Sequence, residues 1–294
     1  MGKMEIQQLR AFLSVAQTKN FTKSADLMYI SQSTVTMRIK ALEQTLGKKL
    51  FERDNRQVLL TNAGKELLDY AKRIVELVDE GARKLNLEER FESSLVVGSL
   101  HSLWDYLLFP IMKDFQAKNP KMALRFITGH SWDIVQQILD GVIDFGVVYI
   151  PPSHAEIEVI EFKKEEIKLV AKADHHFTEE IDLSTLSTLP YIHMDWGPSY
   201  KKWFEECIGK QLFALQVDHA SLYIQYLRSD HLIGLLPAAI ADTLIQQGEL
   251  ASLRFRSKIK PPLIQSYIIY PKRKLEAVKP LLDHMMKSTV NGII

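Results

Sequence analysis

Cysteine is almost missing: Cys207 stands alone among 294 residues. One thiol excludes an intrachain disulfide and fits a reducing compartment such as the cytoplasm. Free cysteines are usually packing residues, and Cys207 is expected to be one. Long apolar runs are missing too. No stretch approaches the ~18 residues of a membrane span, and Met1-Gly2-Lys3-Met4-Glu5 meets charge at once. Neither a signal peptide nor a membrane partner is expected. Position 6 is Ile rather than Ser or Thr, which argues against myristoylation at Gly2. There is no G-x-S-x-G elbow, no GxxxxGK[ST] phosphate loop and no H-E-x-x-H, so the common catalytic signatures give no enzyme. His175-His176 follows Asp174, but neighbours on extended chain point apart and no cysteine is near. No metal and no tightly held cofactor are expected. Internal repeats and low-complexity tracts are also lacking.

What is present begins with composition. Hydrophobic residues at 46% and charged residues at 25% allow a sizeable core without cross-links. The net charge of +1 is unevenly spread: residues 1–61 hold ten Lys/Arg against five acids, and residues 62–90 hold six against seven. A basic head on a mildly acidic body points to a polyanion-binding module joined to something else.

Three helical patterns open the chain. Ile6, Leu9, Leu13 and Ala16 fall on one face of a helix from Glu5 to Thr18. Asn20-Phe21-Thr22 breaks it, and Thr22 is the expected cap of a short second helix to Met28. Ser31 is the expected cap of a third, Gln32 to Leu46, stopped by Gly47. In that third helix Val35, Ile39, Leu42 and Leu46 form an inward stripe. Ser33, Met37, Lys40 and Gln44 point the other way, with Thr36 on the flank. A short helix, a turn and a second helix with polar groups at its exposed start is what reading a major groove requires. Gln32 can donate to and accept from adenine together, and Ser or Thr hydroxyls suit several base edges. The run 48–61 then reads as a hairpin turning at Asp54-Asn55. Arg53 and Arg56 on this wing are placed for phosphates or a minor groove.

From Asn62 to Leu87 the pattern stays helical without proline. Leu67, Ala71, Ile74, Val78, Gly81 and Leu85 alternate steps of four and three, a heptad seam that wants a partner helix. The polar run 88–94 reads as a hinge. Beyond it, short apolar strands alternate with amphipathic helices. Strands at 95–98, 123–127 and 145–149, with helices at 102–118 and 132–140 between them, make a βαβαβ run and a parallel sheet. Ile167–Ala171 is expected to cross into a second lobe with strands at 191–194, 215–217 and 232–236. Ser266–Tyr270 is expected to cross back, ahead of a last helix at 275–288.

Phe21-Thr22, Ala25, Leu27, Ser31-Gln32, Val35, Ile39-Lys40-Ala41-Leu42-Glu43, Leu46-Gly47, Leu50-Phe51-Glu52-Arg53, Leu60-Thr61 and Ala63-Gly64 resemble, in order, spacing and type, the signature of LysR-type transcriptional regulators. The resemblance implies an α/β chain with an all-α head. It places a winged helix-turn-helix DNA-binding domain at 1–61, and a linker dimerisation helix and hinge at 62–92. A two-lobed effector-binding domain like a periplasmic binding protein follows at 93–294, with lobe 1 at 93–165 and 267–294 and lobe 2 at 166–266. Gln32, Ser33, Thr36 and Met37 would face bases. Ser31 opens the helix, and Thr34, Arg38, Lys40, Arg53 and Arg56 would hold phosphates. Two positions depart from the family pattern: Ser33 stands where Pro is frequent, and Met37 where Arg or another polar residue is. Met37 offers a base only an apolar contact, as with a thymine methyl.

Ligands of such α/β folds sit beyond the carboxyl ends of strands. Helices start there, and their free N–H groups favour an anion. The matching positions are Ser99, Leu100, His101 and Ser102, then His130 and Ser131, then Ser199, and finally His219 and Ser221. A small anionic effector is expected. The implied partners are double-stranded promoter DNA, a second copy of the chain (a homodimer or dimer of dimers) and RNA polymerase. Two other readings remain at this point: a solute-binding module, and an α/β enzyme with a helical appendage.

Overall fold

The computed structural model describes residues 3–54, 57–85, 91–177 and 179–290, without the side chains of Arg53, Asp54, Gln57, Lys84, Thr289 and Val290. The chain divides into two units, Met1–Glu88 and Glu89–Ile294.

In the first unit, Leu9, Phe12 and Val15 recur at helical spacing along Ile6–Thr18 (α1) and are buried. Ile6, Leu13 and Ala16 flank them half-buried. Helix Phe21–Leu27 (α2) is capped by Asn20, not by Thr22 as the sequence suggests: Asn20 Oδ1 accepts from the N–H groups of Thr22 (2.9 Å) and Lys23 (3.0 Å). An amide oxygen before the first turn serves two orphan donors that a residue inside it cannot reach. Helix Gln32–Leu46 (α3) starts at Ser31, whose Oγ accepts from Thr34 N–H at 3.2 Å, and ends at Gly47 with φ +64°. Val35, Ile39 and Leu42 sit in the core, while Leu46 is exposed in the last turn. Strands Phe51–Asp54 (β1) and Gln57–Leu60 (β2) pair antiparallel as the wing. Phe51 rests its ring on Phe12 and Phe21, with centroids 5.4 and 6.1 Å away.

Helix Asn62–Leu85 (α4) completes the unit. Its expected seam divides. Ala71 and Val75 are buried and Leu67 half-buried against the head's own core. Ile74, Leu77, Val78 and Leu85 are exposed. The upper seam is therefore spent inside the head, where an Arg10–Asp79 ion pair also ties α1 to α4, and only the lower part is left for a partner helix.

The second unit follows the alternation read from the sequence. Strand Ser93–Ser99 (β3) leads to His101–Leu103 (α5), a π-helical stretch Trp104–Leu108, and Phe109–Lys118 (α6). The wide turn precedes Pro110, which has no N–H to give, and Phe109 N–H donates back to the Trp104 carbonyl. Then come Met122–Thr128 (β4), Ser131–Leu139 (α7), Phe145–Val148 (β5) and Ile157–Glu165 (β6). Ile167–Lys172 (β7) enters the second lobe. That lobe holds Ile181–Asp182 (β8), Ile192–His193 (β9), Pro198–Ile208 (α8), Leu215–Gln216 (β10), Ala220–Ser229 (α9), Ile233–Pro237 (β11), Ala238–Gln246 (α10), Leu250–Leu253 (β12) and Phe255–Arg256 (β13). Ile264–Pro271 (β14) and Leu275–Val290 (α11) return to the first lobe.

The first-lobe sheet has the order β4-β3-β5-β14-β6, with β3 parallel to both β4 and β5. The second-lobe sheet, β11-β7-β12, is antiparallel, beside a short parallel pair β9/β10. The return crossing comes earlier than expected. Ile264 already pairs with Glu165 in the first-lobe sheet, so Ser266–Tyr270 lies inside a strand rather than between lobes. The second lobe packs around Tyr223, whose hydroxyl donates to the Leu235 (3.2 Å) and Ile192 (3.3 Å) carbonyls. A Cβ on Gly234 would lie 2.2 Å from that hydroxyl, so this close approach requires glycine. Cys207 is buried on α8, in a packing position.

Candidate nucleic-acid interface and interlobe cleft

The head presents one coherent polar face. Gln32, Ser33, Thr36, Met37, Lys40, Ala41 and Gln44 line a shallow concavity along α3. Met37 is 63% exposed, while Val35 and Leu42, on the opposite side of the same turns, are fully buried. The apolar stripe anchors the helix and leaves the other side free for a groove.

Three expected contact residues have other duties. Ser31 Oγ lies 2.8 Å from both Ser33 Oγ and Thr34 Oγ1, besides accepting from Thr34 N–H, so Ser31 and Thr34 build the helix start. Arg38 donates to Gln7 Oε1 on α1 at 3.4 Å and is half-buried. Arg56 and the side chain of Arg53 lie outside the described residues.

Glu43, which the sequence offers as part of the family signature but without a role, fixes the wing. It is 8% exposed. Its Oε1 accepts from the buried Leu50 N–H and its Oε2 from Lys49 Nζ, both at 2.9 Å. Thr61 Oγ1 donates to the Lys49 carbonyl at 2.7 Å and accepts from Gly64 N–H at 3.0 Å. A Cβ on Gly64 would sit 2.2 Å from the Leu50 carbonyl oxygen, so only glycine lets α4 start this close to the wing.

In the second unit a cleft of about 720 Å³ opens between the lobes. Leu100, His101, Ser102, His130 and Ser131 line its first-lobe wall, and His219 its second-lobe wall, as the sequence suggests. His101 and His219 face each other across it, with ring centroids 4.9 Å apart. Ser102 and Ser131 are buried. The Tyr149 phenol beside Ser102 is pushed well up by burial, with the Ser102 side chain opposing that shift. Ser131 Oγ accepts from Ile150 N–H at 3.4 Å. Trp132 is 78% exposed at the cleft.

Three expected ligand residues do not line the cleft. Ser99 is fully buried, and its hydroxyl donates to the Val147 carbonyl at 2.7 Å, tying β3 to β5. Ser199 is exposed on α8, away from the lining. Ser221 donates to Asp105 Oδ2 at 2.7 Å, a bridge between the lobes. Sequence reasoning missed Asp195, Lys201 and Asp218 on the second-lobe wall. Their signal was weak, because a charge next to a helix start reads as capping. Asp195 Oδ1 does accept from Gly197 N–H at 2.8 Å, just before α8. Among the described residues, no group of three or more His, Cys, Asp or Glu is arranged to hold a metal. No described helix is long and apolar enough to cross a membrane.

Residues 6–65 match the family profile described as the bacterial regulatory helix-turn-helix protein, lysR family, and residues 88–289 match the LysR substrate binding domain. The chain is 30% identical over 261 residues to the HTH-type transcriptional regulator YwqM of Bacillus subtilis (strain 168), covering 86% of this chain and 89% of that one. It is 28% identical over 237 residues to the transcriptional activator IlvY of Salmonella typhimurium, covering 74% of this chain and 78% of that one. Among solved structures, the LysR family regulator CbnR is similar with a TM-score of 0.74 at 22% identity, over 97% of this chain and 99% of that one. CbnR has also been solved in complex with its target DNA. With a helix-turn-helix at one end and a substrate-binding fold at the other, the chain belongs to the LysR family of DNA-binding transcriptional regulators.

Proposed function

We propose that the chain is a cytoplasmic, sequence-specific regulator in which α3 reads promoter DNA and the interlobe cleft takes a small effector, binding and not catalysis being its task. The observation that carries this is the two-sided character of α3. Gln32, Ser33, Thr36, Met37 and Lys40 are gathered on an accessible face, with Val35, Ile39 and Leu42 buried behind it. Gln32 is the residue able to hold adenine through two bonds, and Met37 reads by apolar contact. Lys40, Arg53 and Arg56 supply charge for phosphates, while Ser31, Thr34 and Arg38 shape and brace the helix.

The exposed lower seam of α4, Ile74, Leu77, Val78 and Leu85, suits a second copy of the chain. Two heads would then read two half-sites and multiply a modest single-site affinity. In the cleft, the buried hydroxyls of Ser102 and Ser131 with the imidazoles of His101, His130 and His219 suit an effector carrying an anionic group. Ligand-dependent closure of the lobes is the route by which the effector would act on DNA binding.

A gel shift on the region upstream of the protein's own gene tests the reading. Binding should weaken steeply as salt rises, because phosphate contacts release counterions. Lys40→Ala should lower affinity for all sites and reduce the salt slope by about 1. Absence of binding, or binding indifferent to salt and to changes on α3, would overturn it.

A further inference from the structure

The cleft is not charged alike on its two walls. The first-lobe wall is built from 100–102, 129–132, Tyr149 and Ile150; no carboxylate lines it, and Asp133 stands behind it, accepting from His130 N–H at 3.2 Å. The second-lobe wall carries Asp195 and Asp218 with a single fixed cation, Lys201. No ion pair of Lys201 is found among the described residues.

The sequence expectation of a simple anion rested on helix starts. On the second lobe, those starts have a carboxylate just ahead of them, although neither α8 nor α9 carries a side-chain cap. Asp195 precedes α8 and Asp218 precedes α9, and a carboxylate there is the natural complement of the helix dipole. A wholly anionic ligand would meet two carboxylates against one ammonium, and like charges this close are repulsive. On the first lobe, donors remain. Ser131 is 5% exposed and lines the cleft, and its Oγ only accepts, from Ile150 N–H, so its own hydrogen is available to a ligand oxygen. The imidazoles of His101 and His130 lie on the same wall. Between the two polar walls, Leu100, Ile150, Met194, Val217 and Trp132 supply apolar surface for a small ligand body.

We propose that the ligand of this cleft is a zwitterion, a small aminocarboxylate whose carboxylate meets Ser131, Ser102 and His130 on the first lobe and whose ammonium meets Asp195 and Asp218 on the second. This rests on reading the cleft as the effector site. It explains why the two walls differ and why Lys201 is outnumbered. A ligand with opposite charges at its ends also has a reason to draw the lobes together, since each lobe holds one end.

The test is a thermal-shift and calorimetric comparison on the full chain. The probes are α-, β- and γ-amino acids with aliphatic and aromatic side chains, each with its matched des-amino carboxylic acid and its matched decarboxylated amine. At least one amino acid should bind saturably, and removing either charged end should weaken it about tenfold or more, as expected when a charged hydrogen bond is lost. Asp195→Asn and Asp218→Asn should weaken the amino acid and leave the des-amino acid unchanged or tighter. Asn at 195 keeps an oxygen for Gly197 N–H, so the turn survives. Ser131→Ala should weaken both. Des-amino acids that bind as well as amino acids, with both Asn variants silent and Ser131→Ala still harmful, would overturn the zwitterion and keep the cleft. Saturable binding in none of the three classes would remove the cleft reading together with the inference.

Discussion

Replacing Glu43 by alanine isolates the contact that fixes the wing against the recognition helix. Two interactions disappear together: the bond from the buried Leu50 N–H and the ion pair with Lys49, both at 2.9 Å. They differ in worth. The Lys49 side chain is 77% exposed against 9% for Glu43, so solvent screens the pair to below ~0.5 kcal/mol. The Leu50 N–H would be left buried without an acceptor, which costs about 1–3 kcal/mol. Glu43→Ala should therefore destabilise the head by about 2 kcal/mol, and Lys49→Ala by less than ~0.5 kcal/mol. Glu43→Gln, which keeps an oxygen for Leu50, should recover most of the loss. Urea unfolding measured by far-UV circular dichroism reports both units, and the head's transition is the part that tryptophan fluorescence does not share. All four tryptophans (104, 132, 196 and 203) lie in the second unit, so their fluorescence serves as an internal reference that should not move. If Lys49→Ala proves as harmful as Glu43→Ala, or Glu43→Gln restores nothing, the backbone-acceptor argument is wrong.

Other consequences are equally direct. Gly64→Ala places a Cβ 2.2 Å from the Leu50 carbonyl oxygen; the forced shift should cost about 1–3 kcal/mol and weaken DNA binding in a gel shift. Tyr223→Phe removes the donor shared by the Leu235 and Ile192 carbonyls; it should lower the stability of the second unit by about 1 kcal/mol, read by tryptophan fluorescence, without changing DNA affinity of the ligand-free protein. Burial raises the Glu165 carboxyl above its ordinary range, against the lowering effects of Lys163 and the Ala239 N–H. The folded state then holds that proton more tightly than the unfolded state. The group's contribution is fully present below the ordinary carboxylate value and is lost as pH rises through the raised one. Glu165→Gln should flatten that decline in a series of unfolding midpoints against pH.

Much of this was legible in the chain, and for reasons that differ by region. The head was read residue by residue because its signals are local: a capping serine at 31, a stopping glycine at 47, and an apolar stripe at helical steps between them. Where a local rule admitted two candidates, as with Asn20 and Thr22, sequence alone chose the wrong cap. The first-lobe sheet showed in its apolar runs, since strands buried on both faces need few polar residues. Strand β6 escaped notice because its outer positions carry Glu158, Glu161 and Lys164 and blur the alternation. The cleft was half visible. Residues following strands 93–99 and 122–128 do line the cleft, but whether a serine faces a ligand or a neighbouring strand depends on its partner, and Ser99 and Ser221 found theirs 48 and 116 residues away. The acids on the second wall stayed hidden because a charge before a helix has a purely local use as well as a recognition one.

The central claim is that the open face of α3 reads base edges, and a substitution profile of a bound promoter site tests it most directly. Affinity would be measured for the site and for every single base-pair change in it, with the wild-type chain and with Gln32→Ala. The account predicts that the variant loses discrimination, by about 1–3 kcal/mol, at one position in each half-site, while the rest of the profile keeps its shape. A profile unchanged at every position would contradict it.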